Sequence, residues 1–142
     1  MRRAAAIAIL GEVLGKAAWF PAAVFVLHLV LSRLLNAYHL LLPVEIPMHL
    51  LGGFAIAYFF DGILVIAGGH RPSMRLVKPA RLVLAFALVC ATTVLWEVVE
   101  SLFDQVFGTR ARLSLENSLV DVLVGTVGGV GYVAWRVLSA KR

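Results

Sequence analysis

Residues 80–103 read ARLVLAFALVCATTVLWEVVESLF, and from Leu82 to Trp96 no side chain carries a charge. A helix crossing a hydrocarbon core of ~30 Å needs about 20 mostly apolar residues, and this stretch supplies them. Outward from it, residues 17–35, 47–67 and 118–138 are similar in length and character. The whole chain agrees: 142 residues are 61% hydrophobic and 15% charged, with a mean hydropathy of +0.93. A water-soluble fold has no interior large enough to hide that much apolar surface. The reading is an all-α membrane protein, a single integral-membrane domain over 1–142 with four transmembrane helices.

The linkers carry the helix breakers. Pro43 and Pro47 fall in the first, Gly68, Gly69, Pro72 and Pro79 in the second, Gly108 in the third. All are short, which favours an up-down-up-down bundle. Pro21 falls in the first turn of the first stretch, where a missing amide hydrogen is tolerated. Residues 1–16 resemble a signal peptide in opening on Arg2 and Arg3. Glu12 and Lys16 interrupt the apolar run and no small-x-small cleavage pattern follows, so the segment reads as an uncleaved amphipathic lead-in.

The formal net charge of +5 does not point to nucleic acid, because the basic residues sit in short groups between apolar runs. Ten of the thirteen lysines and arginines lie in the amino-terminal lead, the second linker and the tail; only Arg33, Arg110 and Arg112 fall on the other side. The positive-inside rule then places both termini in the cytoplasm of a multi-pass inner-membrane protein. Cys90 is the single cysteine, which excludes an intrachain disulfide and a cysteine-built metal site.

With that orientation the outer helix ends hold most of the polar side chains. His49 opens the second helix, Glu97, Glu100 and Asp104 close the third at i, i+3 and i+7, and Asn117 and Asp121 open the fourth at i, i+4. Glycines continue the same faces: Gly52 and Gly53 follow His49, and Gly125, Gly128 and Gly129 follow Asp121. Small residues let membrane helices approach closely, so these faces are expected to turn into the bundle as packing surfaces. Glu97 lies ~9 Å inside the apolar boundary by helical rise, and an ionisable residue at such depth is a candidate functional group.

His49, Glu97, Glu100 and Asp121 are therefore the candidate catalytic or binding cluster. One imidazole and several carboxylates suit a divalent cation such as zinc, manganese or magnesium. Alternatively, His49 and a carboxylate act as an acid/base pair without metal. Arg110 and Arg112, with Asn117, would hold an anionic group such as a lipid phosphate. The structural alternative is that Asn117 or Ser118 caps its helix, Asp121 answers the helix dipole, and Glu45, Asp104 and the two arginines are interfacial. Deeper in the membrane, Asp61 is expected to pair with Lys16 or Arg81, and His28 to be a neutral bundle residue; a proton path through the two is the remaining possibility.

The order of these motifs resembles the VanZ-like and YjdF-like bacterial membrane proteins. The segments that carry the likeness are Glu45-Ile46-Pro47-Met48-His49-Leu50-Leu51-Gly52-Gly53, Trp96-Glu97-Val98-Val99-Glu100, and Asn117-Ser118-Leu119-Val120-Asp121 with Gly125 after it. Asn117 stands where the YjdF-like pattern usually has an acid; Gly125 and Glu100 stand where VanZ-like chains often have asparagine and glutamine. The resemblance implies a bacterial inner-membrane protein of four to six helices and, on the VanZ-like side, a link to glycopeptide resistance. It implies no established reaction. Two functions remain: binding or acting on an anionic lipid or lipid-linked envelope intermediate, or serving as a non-catalytic accessory subunit or homo-oligomer that packs through its glycine stripes.

Overall fold

The computed structural model describes residues 2–31, 44–108 and 115–139. Arg33, Arg110 and Arg112, and the end of the first apolar stretch, lie outside the described residues. The described elements are all helical: α1 (Arg2–Glu12), a π-helical turn (Val13–Ala17), α2 (Trp19–Leu29), α3 (Glu45–His70), a 3-10 turn (Pro72–Met74), α4 (Lys78–Phe107) and α5 (Leu115–Leu138). Three of them, α3, α4 and α5 from Glu116, are long and apolar enough to cross a membrane; a fourth span exists if the bent pair Ala6–Ala17 and Trp19–Leu29 is counted as one.

The three long helices start and stop for local reasons. α4 begins at Lys78-Pro79, where proline needs no hydrogen-bond acceptor, and ends at Gly108, whose φ of 63° lets its N–H return 3.0 Å to the Asp104 carbonyl. At 30 residues it is ~45 Å long, more than a hydrocarbon core requires, so it tilts or projects. Glu45 bonds with Asn117 at one end of α3 and Asp61 with Arg136 toward the other. Hence α3 and α5 run side by side in the same direction, with α4 antiparallel to both.

Glycines set how closely they approach. A Cβ on Gly53 would collide with the Gly125 carbonyl, and one on Gly128 with the Leu50 carbonyl. A Cβ on Gly129 would lie 3.0 Å from Val89, and one on Gly125 2.7 Å from Thr93. Gly52 differs from the packing role expected of it: nothing lies within 4 Å of where its Cβ would stand, and it lines a cavity. Ala57, Leu82, Val89 and Tyr132 form the buried centre of this three-helix unit.

The lead-in and the first apolar stretch meet at a break at Ala18, close to the boundary expected between 1–16 and 17–35, but with a 55° bend between the helices on either side that was not expected. Pro21 supplies the cause. Its ring crowds the carbonyl four residues earlier, that of Ala17, and it cannot donate to it. The chain therefore closes Val13–Ala17 as a π turn, with Ala18 N–H on the Val13 carbonyl at 2.8 Å, and starts a fresh helix at Trp19. Tyr58 of α3 tends the break: its hydroxyl donates to the Lys16 carbonyl at 2.7 Å and accepts from the Trp19 indole at 3.1 Å. Buried Ala17 packs against Gly62 of α3, where a Cβ would approach within 2.9 Å.

Candidate functional site

The first turn of α3 and the first turns of α5 meet at one end of the bundle. Glu45 and His49 are four residues apart on α3, and Asn117 and Asp121 four apart on α5, so each pair shares a helix face. Asn117 bridges the two helices. Its Nδ2 has two hydrogens and donates to Glu45 Oε1 at 3.2 Å and to Asp121 Oδ2 at 3.0 Å. His49 Nε2 faces Asp121 Oδ1 at 3.6 Å, too long for a hydrogen bond but close enough for a shared ligand.

One donor atom from each of Glu45, His49 and Asp121 lies within 4.8 Å of the others. Around an ion bound at ~2.1 Å the donors would stand about 3.4 Å apart in tetrahedral geometry, so modest side-chain rotations would close the set. The trio is well sheltered: Asp121 is 4% exposed, and the His49 side chain 18%. Glu97 of α4 is also buried and is an electrostatic neighbour of both His49 and Asp121. Half-buried Glu100 has Glu97 and Asp121 for neighbours. Among the described residues, no lysine or arginine forms an ion pair with any of these four carboxylates. Sheltered carboxylates without a cation are costly unless they protonate or share a metal.

A cavity of about 250 Å³ adjoins the cluster. His49 and Gly52 stand on one wall, Phe25 and His28 of α2 on another, and Trp96 of α4 on a third. His28 and Phe25 each contact the Trp96 ring, at centroid distances of 6.0 and 6.2 Å. Most of the wall is apolar, so the space accepts hydrocarbon, and His49 is where the hydrocarbon would meet polar chemistry. Gly52 keeps the wall open where a side chain would fill it.

Of the residues singled out in the sequence, His49, Asp121 and Asn117 share the site with Glu97 close by, and Glu100 stands at its edge. Arg110 and Arg112 lie outside the described residues. Glu45, assigned to the interface by sequence, is a donor in the trio; its i, i+4 spacing to His49 was the signal for it.

Asp61 belongs to a separate arrangement at the other end. It is 2% exposed and accepts from Arg81 Nε at 2.6 Å on one oxygen, and from Tyr132 Oη at 2.8 Å and Arg136 Nε at 3.1 Å on the other. Of the two partners expected for it, Arg81 is present. Lys16 instead pairs with Glu12 at 2.8 Å, and Glu12 also holds His70 at 2.9 Å.

Residues 5–142 match the family described as predicted membrane protein, DUF2238, and the chain belongs to it. A protein of Thermotoga maritima described as uncharacterized is 27% identical over 103 residues, 72% of this chain and 52% of that protein. The chain thus spans about half the length of the curated relative it matches. No solved structure matches it significantly.

Proposed function

We propose that this member of a membrane-protein family holds a divalent cation on Glu45, His49 and Asp121, and uses it to bind or act on the anionic group of an amphiphile whose chain enters the adjoining cavity. One observation carries the reading: sheltered carboxylates that, among the described residues, have no lysine or arginine paired to them converge with an imidazole at the edge of an apolar cavity. A cation answers both halves of that arrangement. It neutralises the carboxylates, and it presents positive charge to a phosphate or carboxylate headgroup that the carboxylates alone would repel. Asn117 keeps the oxygens of Glu45 and Asp121 at the right separation, the role that outer hydrogen bonds play around metal ligands.

The lysine and arginine asymmetry supports a bacterial inner-membrane orientation with this end facing outward. The likeness to VanZ-like and YjdF-like proteins supports a substrate from the cell envelope, such as a lipid or lipid-linked intermediate. The accessory-subunit alternative draws less support, because Gly53, Gly125 and Gly128 are used in contacts between this chain's own helices.

Elemental analysis tests the reading. Detergent-purified protein, reconstituted with zinc or manganese and desalted, is expected to keep about one metal per chain, and a His49→Ala, Asp121→Asn double variant to keep none. Wild-type protein that retains no metal, or a folded double variant that retains as much, would overturn the cation assignment.

A further inference from the structure

The cation-rich end carries more than Asp61 needs. Arg81 and Arg136 each use only Nε on that carboxylate, and neither guanidinium has another hydrogen-bond partner among the described residues. Each therefore keeps its Nη donors unused. Both side chains are nonetheless sheltered, 16% and 32% exposed. Lys78 stands beside them, its ammonium donating to the Arg136 carbonyl at 2.7 Å. Two guanidiniums thus share a single carboxylate, and a third cation is bonded to the backbone of one of them. Asp61, Tyr132 and the helix backbones fix the directions of the two forks, so the free Nη edges are preset instead of mobile. Trp135, whose ring lies 5.9 Å from the Arg136 guanidinium, is the kind of residue that marks the headgroup level of a bilayer.

Unused donors that are sheltered from water need acceptors. The acceptor must be anionic, because the local charge is in excess, and it must offer several oxygens, because the donors are forks. We propose that Arg81 and Arg136, set in place by Asp61, and Lys78, held on the Arg136 carbonyl, form a phosphate-binding site that takes the headgroup of an anionic phospholipid at the His70 end of the bundle. The site is independent of the cation reading at the Glu45 end. It is also more specific than a general attraction of basic loops to acidic lipid. Diffuse attraction depends on charge alone, whereas a preset fork depends on guanidinium geometry, which lysine does not reproduce.

The test uses the full chain in nanodiscs of phosphatidylcholine doped with phosphatidylglycerol, with lipid retained after detergent extraction counted by native mass spectrometry. Wild-type protein is expected to retain phosphatidylglycerol over phosphatidylcholine by about tenfold. An Arg81→Lys, Arg136→Lys variant keeps every charge and the pairing of Asp61, and is expected to lose most of that preference. Thermal unfolding in detergent checks that this variant is folded; a single Arg136→Lys variant, altering the more exposed arginine, gives the same readout if the double variant is not. Equal retention of the two lipids by wild type, or a full preference in the folded variants, would overturn the proposal. Binding of inorganic phosphate in detergent without any phospholipid preference would assign the site to a soluble phosphate and overturn the headgroup.

Discussion

The two ends of the bundle solve the problem of buried charge in opposite ways. At the His70 end, Asp61 is almost wholly enclosed, and two guanidiniums and a phenol from α4 and α5 occupy its oxygens. At the Glu45 end, Glu45, Glu97, Glu100 and Asp121 draw on one imidazole, one amide and, at Glu100, the Trp96 indole, with no lysine or arginine among their ion pairs within the described residues. A charge whose partners are built into neighbouring helices joins those helices. A charge with no cation among the described residues beside it leaves room for a ligand. Residues of one chemical type therefore have different roles, and the partners decide which.

The largest expected effect breaks the joined end. Asp61→Ala leaves two sheltered guanidiniums facing each other without a counter-charge. Removing one member of such a group costs about 3–5 kcal/mol, enough to remove most folded protein from detergent extracts. Thermal unfolding followed by circular dichroism measures it. An Asp61→Ala protein as stable as wild type would mean that the arginines reach lipid or water freely, and the contrast between the ends would fail.

Next comes the effect of metal on the open end. A ligand that binds only the folded state stabilises it by about 2.7 kcal/mol at a hundredfold excess over its Kd. Titration with manganese or zinc is expected to raise the midpoint of wild-type protein and leave that of His49→Ala unchanged. Equal shifts in the two would place the metal elsewhere. Smaller still is Tyr132→Phe. It removes one of three donors to Asp61 while keeping the ring's contact with Phe54, and should cost about 1–2 kcal/mol. Because two charged donors remain, it should not approach the loss expected of Asp61→Ala.

How much of this the sequence discloses depends on how local the cause is. The spans of α3, α4 and α5 are legible because twenty apolar residues in a row admit few other readings. The boundary between the lead-in and the first apolar stretch is legible too, but its π turn and 55° bend are not, since they depend on Pro21 acting on a carbonyl four residues earlier and on Tyr58 standing ready to bond the Lys16 carbonyl. Gly52 and Gly53 are equally suited by type to helix packing, yet successive residues point about 100° apart on a helix, and only Gly53 meets α5. Arg136 reads in sequence as one more positive charge in a tail; its bond to Asp61 spans 75 positions. Glu45 was within reach, because its spacing to His49 is that of Asn117 to Asp121, but a carboxylate at a helix start has an ordinary explanation in the helix dipole.

The smallest effect is the sharpest test of the comparison, because its sign should reverse between the ends. Asp121→Asn changes one carboxylate oxygen to an amide and keeps nearly the same shape. The Asn117 amide can still donate to the carbonyl oxygen that remains. In metal-free protein the substitution removes a sheltered negative charge that has Glu45 and Glu97 for electrostatic neighbours. It loses only a 3.6 Å approach to His49. Stability should be unchanged or raised by up to about 1 kcal/mol. The same carboxylate-to-amide change at Asp61 takes charge away from two guanidiniums and must destabilise. If Asp121→Asn destabilised metal-free protein as Asp61→Asn does, the pairing of Asp121 with His49 would be a structural ion pair, and the Glu45 end would be another joint between helices instead of an opening for a ligand.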